Sequence, residues 1–241
     1  PEGGWELYNT TTMRDDKGLG SYTAFDNVTE LEYGVSDRFN VSAALQALAL
    51  DTSGLVINGY LPDDMDFGLK PSGLELTAKY NILRPATDDF GLSLRYALDY
   101  SWIDKHSGQD KDTLSAEFDL LTQKYFMDGQ MVWVGNLGLE MTYADRGYID
   151  NLPVDFEWPT DPEMEVEIIL GTGLTYRFAP NWYAGAEAVY ETEFETEVGQ
   201  ERWSIFLGPT LHYGSAKWWG TFTWFPQIAG GGEQYDGQAD D

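Results

Sequence analysis

The chain has 241 residues, a formal net charge of −27, 15 % aromatic residues and no cysteine. These totals exclude a cysteine-based metal or redox site. With no apolar run of about 18 residues, they also exclude a membrane-spanning helix. Such acidity repels nucleic-acid phosphates, whose binding relies on Lys and Arg, so no nucleic acid is expected as a partner, and cations are expected to gather near the chain. The chain opens at Pro1 without a charged and apolar leader, so an exported form is expected to have had its signal peptide removed.

In chain order, residues 5–14, 22–35 and 39–50 show a weak two-residue hydrophobic period, the repeat of a strand whose side chains face alternate sides of a sheet. The period sharpens from Leu74 to Ile82, where every even position is apolar and every odd one polar. Next, Leu92, Leu94, Tyr96, Leu98 and Tyr100 oppose Ser93, Arg95, Asp99 and Ser101, and then Leu114, Ala116, Phe118 and Leu120 oppose Ser115, Glu117 and Asp119. Residues 131–143 follow more weakly. Val166, Ile168, Leu170, Leu174 and Tyr176 oppose Glu165, Glu167, Thr175 and Arg177, and Trp182, Ala184, Ala186, Ala188 and Tyr190 oppose Glu187, Glu191 and Glu193. Trp203, Ile205, Leu207 and Leu211 oppose Ser204, Thr210 and His212, and residues 218–225 form a last weak segment, about eleven strands in all.

The connections alternate in length. Tight ones fall at residues 36–38, 86–89, 128–129, 179–181 and 214–215, all with turn-forming chemistry. Longer polar stretches occupy residues 15–20, 51–70, 105–110, 146–163 and 196–201. An up-and-down membrane barrel has this alternation, with short periplasmic turns and longer outer loops. On that reading the first strand rises from the periplasm and the eleventh ends outside, in the glycine-rich residues 230–241. Bacterial single-chain barrels have an even strand number, so the sequence predicts an all-β, transmembrane up-and-down antiparallel β-barrel of about twelve strands. Residues 1–241 form one domain expected to lack its C-terminal strand, with a miscounted weak strand as the competing explanation.

A soluble sandwich or lipocalin also alternates, and three features favour lipid. Aromatic residues such as Trp5, Tyr33, Phe39, Tyr100, Tyr143, Trp182, Tyr213 and Trp218 sit near strand ends, as interfacial girdles do. Charges avoid the middle of the apolar face, where a Lys or Arg costs roughly 2–4 kcal/mol. The segments are also long enough to cross, which takes about 9–11 tilted residues. The unit Leu31-Glu32-Tyr33-Gly34-Val35-Ser36-Asp37-Arg38-Phe39-Asn40-Val41 resembles the strand, tight turn, strand unit of the small porin-like bacterial outer-membrane proteins, including those labelled transporters. The resemblance implies an outer-membrane location and contact with membrane lipid and lipopolysaccharide, and it specifies no substrate.

If the apolar face meets lipid, the lumen is lined by Glu30, Glu32, Glu75, Lys79, Arg95, Asp99, Glu117, Asp119, Glu140, Glu165, Glu167, Arg177, Glu187 and Glu191, with Glu193 beside them. So many enclosed carboxylates concentrate cations and exclude anions. The expected function is a channel for passive diffusion of small polar or cationic solutes. Large inward side chains, Phe206, Trp219 and Phe225, are expected to narrow or plug it. The alternative is a non-conducting barrel that binds an envelope or extracellular protein through its outer loops, foremost residues 146–163 with Tyr148, Phe156 and Trp158.

An enzyme is not expected. The two histidines, His106 and His212, lack a Gly-x-Ser-x-Gly nucleophile element, and carboxylates spread over every strand suit a polar lumen better than a glycosidase pair. The acidic runs at residues 63–66 and 155–167 match no EF-hand spacing, so neither a metal nor any cofactor is expected.

Overall fold

A computed structural model describes residues 2–17, 19–56, 64–150, 152, 160–195, 199–215 and 217–232. Twelve strand segments follow one another: β1 (Trp5–Asp15), β2 (Leu19–Gly34), β3 (Phe39–Val56), β4 (Asp66–Leu83), β5 (Gly91–Ile103), β6 (Asp110–Phe126), β7 (Met131–Arg146), β8 (Glu163–Ala179), β9 (Trp182–Glu195), β10 (Gly199–Gly214), β11 (Trp219–Thr223) and β12 (Gln227–Gly232). Each of β1 to β11 pairs antiparallel with its neighbour in sequence, giving one up-and-down sheet, while β12 also pairs with β10. Since β11 takes residues 210–214 of β10 and β12 takes residues 202–206, these two segments are the halves of a single column. The twelve segments therefore fill eleven positions, the number read from the sequence. Within the described residues no pairing joins β1 to the β11/β12 column.

The register explains why alternation in the sequence becomes two faces of the sheet. Residues directly opposite share a face, and the pairs Leu74 with Tyr100, Leu98 with Ala116 and Leu139 with Ile168 carry the apolar set across the strands. The apolar set is the exposed one. Leu76 is 60 % exposed, Leu114 52 % and Leu170 47 %, while Ser101, Ser115 and Thr210 of the opposite face are 6 %, 7 % and 5 % exposed. A soluble sandwich would reverse these values. An apolar coat this extensive is unsuited to water and matches the outward band of a membrane barrel. Aromatic pairs stand at the short-turn end of the coat, Trp5 on Tyr33 at 4.5 Å and Trp182 on Tyr213 at 4.9 Å between ring centroids.

The outward side of β1 and β2 departs from this coat. There Asn9 Nδ2 donates to Thr29 Oγ1 at 2.8 Å and Asn27 Nδ2 donates to Thr11 Oγ1 at 2.9 Å. An amide facing hydrocarbon costs several kcal/mol without such a bond, and the four side chains meet that cost among themselves.

The short turns fall where turn chemistry places them. Between β6 and β7, Met127, Asp128 and Gly129 have φ of 54°, 56° and 78°, the left-handed region that glycine and aspartate tolerate best. The longer connections are shorter than the sequence suggests. β3 runs on to Val56 and β4 starts at Asp66, so strand fills both ends of the expected loop at residues 51–70. Strand β10 likewise begins at Gly199, inside the expected loop at 196–201. The centres of these loops, residues 57–63 and 196–198, lie outside the described residues, as do 153–159 with Phe156 and Trp158, and 233–241.

Candidate functional site

The polar face holds two different environments. Toward the long-loop end of β1 to β5 the inward positions are apolar: Tyr22, Ala24, Leu48, Leu50, Leu55 and Ile103 form a buried cluster, with Met65 and Phe67 packed against it. Over this cluster folds the β5–β6 connection, residues 104–109, read from the sequence as a longer polar loop and found as a compact turn. Asp104 organises it. Its Oδ1 accepts from the backbone N–H of His106 at 2.8 Å and from the backbone N–H and Oγ of Ser107 at 2.7 and 3.1 Å, and Lys111 Nζ lies 3.8 Å from Oδ2. Burial pushes the Asp104 carboxyl up, but His106, Lys111 and the two backbone N–H donors outweigh it and hold the group at about 2.

The turn crosses to the far side of the sheet. The carbonyl of Lys105 accepts from Tyr22 Oη at 2.9 Å and from Arg14 Nη2 at 2.9 Å, and Arg14 is held in turn by Asp26 at 2.7 Å. Strands β5 and β6 are thereby tied to β1 and β2, three or more positions away in the sheet.

Around the sheet, Arg95 of β5 gathers three carboxylates, Asp119 at 2.7 Å, Glu117 at 2.5 Å and Glu75 at 3.6 Å. Lys79 stands opposite Arg95 in register, and Asp99 accepts from Gln46. Beyond this cluster the face is a wall of acids. Glu140 of β7 lies opposite Glu167 of β8, and Glu167 lies opposite Glu193 of β9. Glu165 lies opposite Thr142 and Glu195, and Glu191 lies opposite Ile169 and Ser204. Bases meet the wall at its long-loop margin, where Arg202 contacts Glu193 at 2.6 Å and Arg146 pairs with Glu163.

All fourteen residues expected to line the lumen thus share the polar face, but they do not form one group. Glu30 and Glu32 sit on β2 opposite Tyr8 and Glu6. Arg177 sits at the short-turn end opposite Tyr183, and Glu187 stands between Gly173 and Gly208. The alternation in the sequence missed Arg14 and Tyr22, whose contacts with Lys105 lie 91 and 83 residues apart, together with Asp26, the partner of Arg14, and it missed Asp104, whose bonds to His106 and Ser107 are local turn bonds with no two-residue period. It found the inward Phe206, Trp219 and Phe225.

On the opposite face, a depression of about 630 Å³ is lined by Phe39, Tyr80, Leu94, Tyr96, Phe118 and Leu139 among others. Its apolar lining suits hydrocarbon, so the polar face is the one that offers chemistry to a hydrophilic solute. Among the described residues no three His, Asp or Glu side chains are arranged to hold a metal ion.

Apolar outside, charged within and antiparallel throughout, the sheet belongs to the up-and-down class of membrane β-barrels. The chain is a member of the family of unknown function DUF6662, which it matches over residues 1–241. No curated protein matches it. Among solved structures it is similar to OmpT, an outer membrane protein of Vibrio cholerae, at 9 % identity over 92 % of this chain and 87 % of that one, with a TM-score of 0.42. It is similar also to a loop L8 deletion mutant of OmpT, at 10 % identity over 95 % of each chain, again with a TM-score of 0.42.

Proposed function

We propose that this chain is an outer-membrane channel for the passive diffusion of small polar or cationic solutes, with a preference for cations. One observation carries the reading: Glu140 and Glu167 stand directly opposite each other across β7 and β8, with Glu191 diagonally next to them on β9, while Glu193 in the same row is held by Arg202. Like charges in that relation are destabilising, and a closed, filled interior would select against them. Facing water, Glu140, Glu167 and Glu191 lower the local potential and draw mobile cations, which screen them and pass along them. The Arg95 cluster balances only part of the charge. The inward turn at residues 104–109 narrows the β1–β5 side, which directs traffic past the acids of β7 to β9.

The test is reversal potential across a planar bilayer under a potassium chloride gradient. The wild-type chain gives a potential of cation-selective sign, and replacing Glu140, Glu167 and Glu191 together with Gln moves it toward zero. An unchanged potential in the triple variant, or a folded barrel that never conducts, overturns the reading.

A further inference from the structure

Between β11 and β12 the edge column leaves the ladder for three residues, Trp224, Phe225 and Pro226. The backbone stays tethered on either side of the break. Trp224 N–H donates to the Pro209 carbonyl at 3.2 Å, and Leu207 N–H donates to the Pro226 carbonyl at 3.3 Å. The displaced segment lies against the inward side of Gly208, where a Cβ would stand 1.7 Å from the Trp224 carbonyl oxygen. Only glycine permits that approach.

One result of the break is that Phe225 stacks on Phe206, with ring centroids 5.7 Å apart and planes 18° from parallel. Phe206 is on the polar face, since it lies opposite Val189 and two residues from Ser204 and Gly208 along the inward row. The two rings stand with Val189 on an inward face that also carries Ser204 and Glu191, and the buried apolar cluster, which lies on β2 to β5, does not reach them. Strand irregularities of this kind commonly re-aim a side chain toward a binding site.

Glu187 stands on the neighbouring strand β9, one inward position along from Val189. It lies opposite Gly208 on β10 and Gly173 on β8, and a Cβ at Gly173 would come within 3.3 Å of its Cγ, so glycine gives the carboxylate its room. Phe206 is the diagonal neighbour of Glu187 across β9 and β10, a relation that places residues about 7–8 Å apart and their Cβ atoms somewhat closer, within reach of aromatic and long side chains.

We propose that Phe206, Phe225 and Glu187 form a subsite for a monovalent organic cation, an ammonium group bearing an apolar substituent. The stacked rings receive the substituent and present their negative faces to the charge, and the carboxylate supplies the counter-charge. The inference deepens the channel reading by naming a class of solute, yet binding here does not require conduction.

The experiment is calorimetric titration of the refolded full chain in detergent with benzyltrimethylammonium, for wild type, Phe225→Ala, Glu187→Gln and Asp128→Asn. Asp128→Asn removes one negative charge at a turn far from the rings. Wild type and Asp128→Asn bind saturably at one site with the same affinity, and Phe225→Ala and Glu187→Gln each bind at least about fivefold more weakly. Should Phe225→Ala not refold, by circular dichroism and heat-dependent gel mobility, Phe225→Leu keeps the bulk, lacks the ring face and gives the same loss. Equal affinity in all variants, or no saturable binding by wild type, overturns the subsite. A chain that conducts potassium without retaining benzyltrimethylammonium loses this inference and keeps the channel, and one that binds it without conducting loses the channel and keeps the subsite.

Discussion

The inward faces of β2 to β4 and of β7 to β9 obey the same two-residue rule and build opposite interiors. On β2 and β3 the inward row reads Tyr22, Ala24, Leu48 and Leu50, packs to near-complete burial and takes a turn from across the sheet as its cover. On β7 to β9 the row reads Glu140, Glu167 and Glu193, and nearby bases stand only toward the loops. Alternation decides that a strand has two faces. The side chains on the inward one then decide whether the interior is packed or wet. Charges in the first region also have specific partners, Arg14 with Asp26 and Asp104 with Lys111, whereas in the second Arg202 holds Glu193 and Glu140 is left opposite Glu167.

The largest way to break the packed half is to open a hole in it. Leu50→Ala removes a side chain 2 % exposed and should lower the unfolding free energy by about 2–5 kcal/mol, read by urea titration of the micelle-folded chain. A loss under about 1 kcal/mol would show that this interior is not packed as described.

A smaller, pH-dependent effect belongs to Asp104. Its folded pKa of about 2 lies below the ordinary 3.8, so its contribution is present in full above the unfolded value and is lost as pH falls through the folded one. Asp104→Asn should therefore be less stable than wild type at pH 7, with the gap closing between pH 4 and pH 2. Urea midpoints that differ equally at both ends would contradict the assignment.

The smallest change sharpens the comparison without breaking it. Tyr22→Phe deletes one of the two donors to the Lys105 carbonyl and should cost about 0.5–1.5 kcal/mol, with unitary conductance equal to or above wild type as the turn loosens. A fall in conductance would mean that the turn does not narrow the passage.

Much of this was readable in the chain. Where one face is apolar and the other polar, as from Leu74 to Ile82, the alternation gave strand and facing together, and the pairing and the exposed apolar side chains bear out both. It blurred on β3 because both faces are apolar there: Ala43, Leu45, Ala47 and Ala49 outward, Leu48 and Leu50 inward. A strand that is apolar on both sides has no period, so the packed interior left no signature. The turn at residues 104–109 looked like a loop because its composition is polar. Asp104 bonds to His106 and Ser107 inside the turn and the Lys105 carbonyl bonds to β1 and β2, which composition does not report. The expected end of the last strand near Phe225 marked a break in the column and not its terminus, since pairing resumes at Gln227.

That break also changes how the edge of the sheet comes apart. The eleventh column holds to β10 through two ladders of five residue pairs each, separated at Pro226, which has no N–H to contribute. Opening in β-structure spreads through adjoining hydrogen bonds, in cooperative units. We expect fraying that starts at Trp219 to slow at the break, and residues 227–232 beyond it to open separately, with their own protection against amide hydrogen exchange.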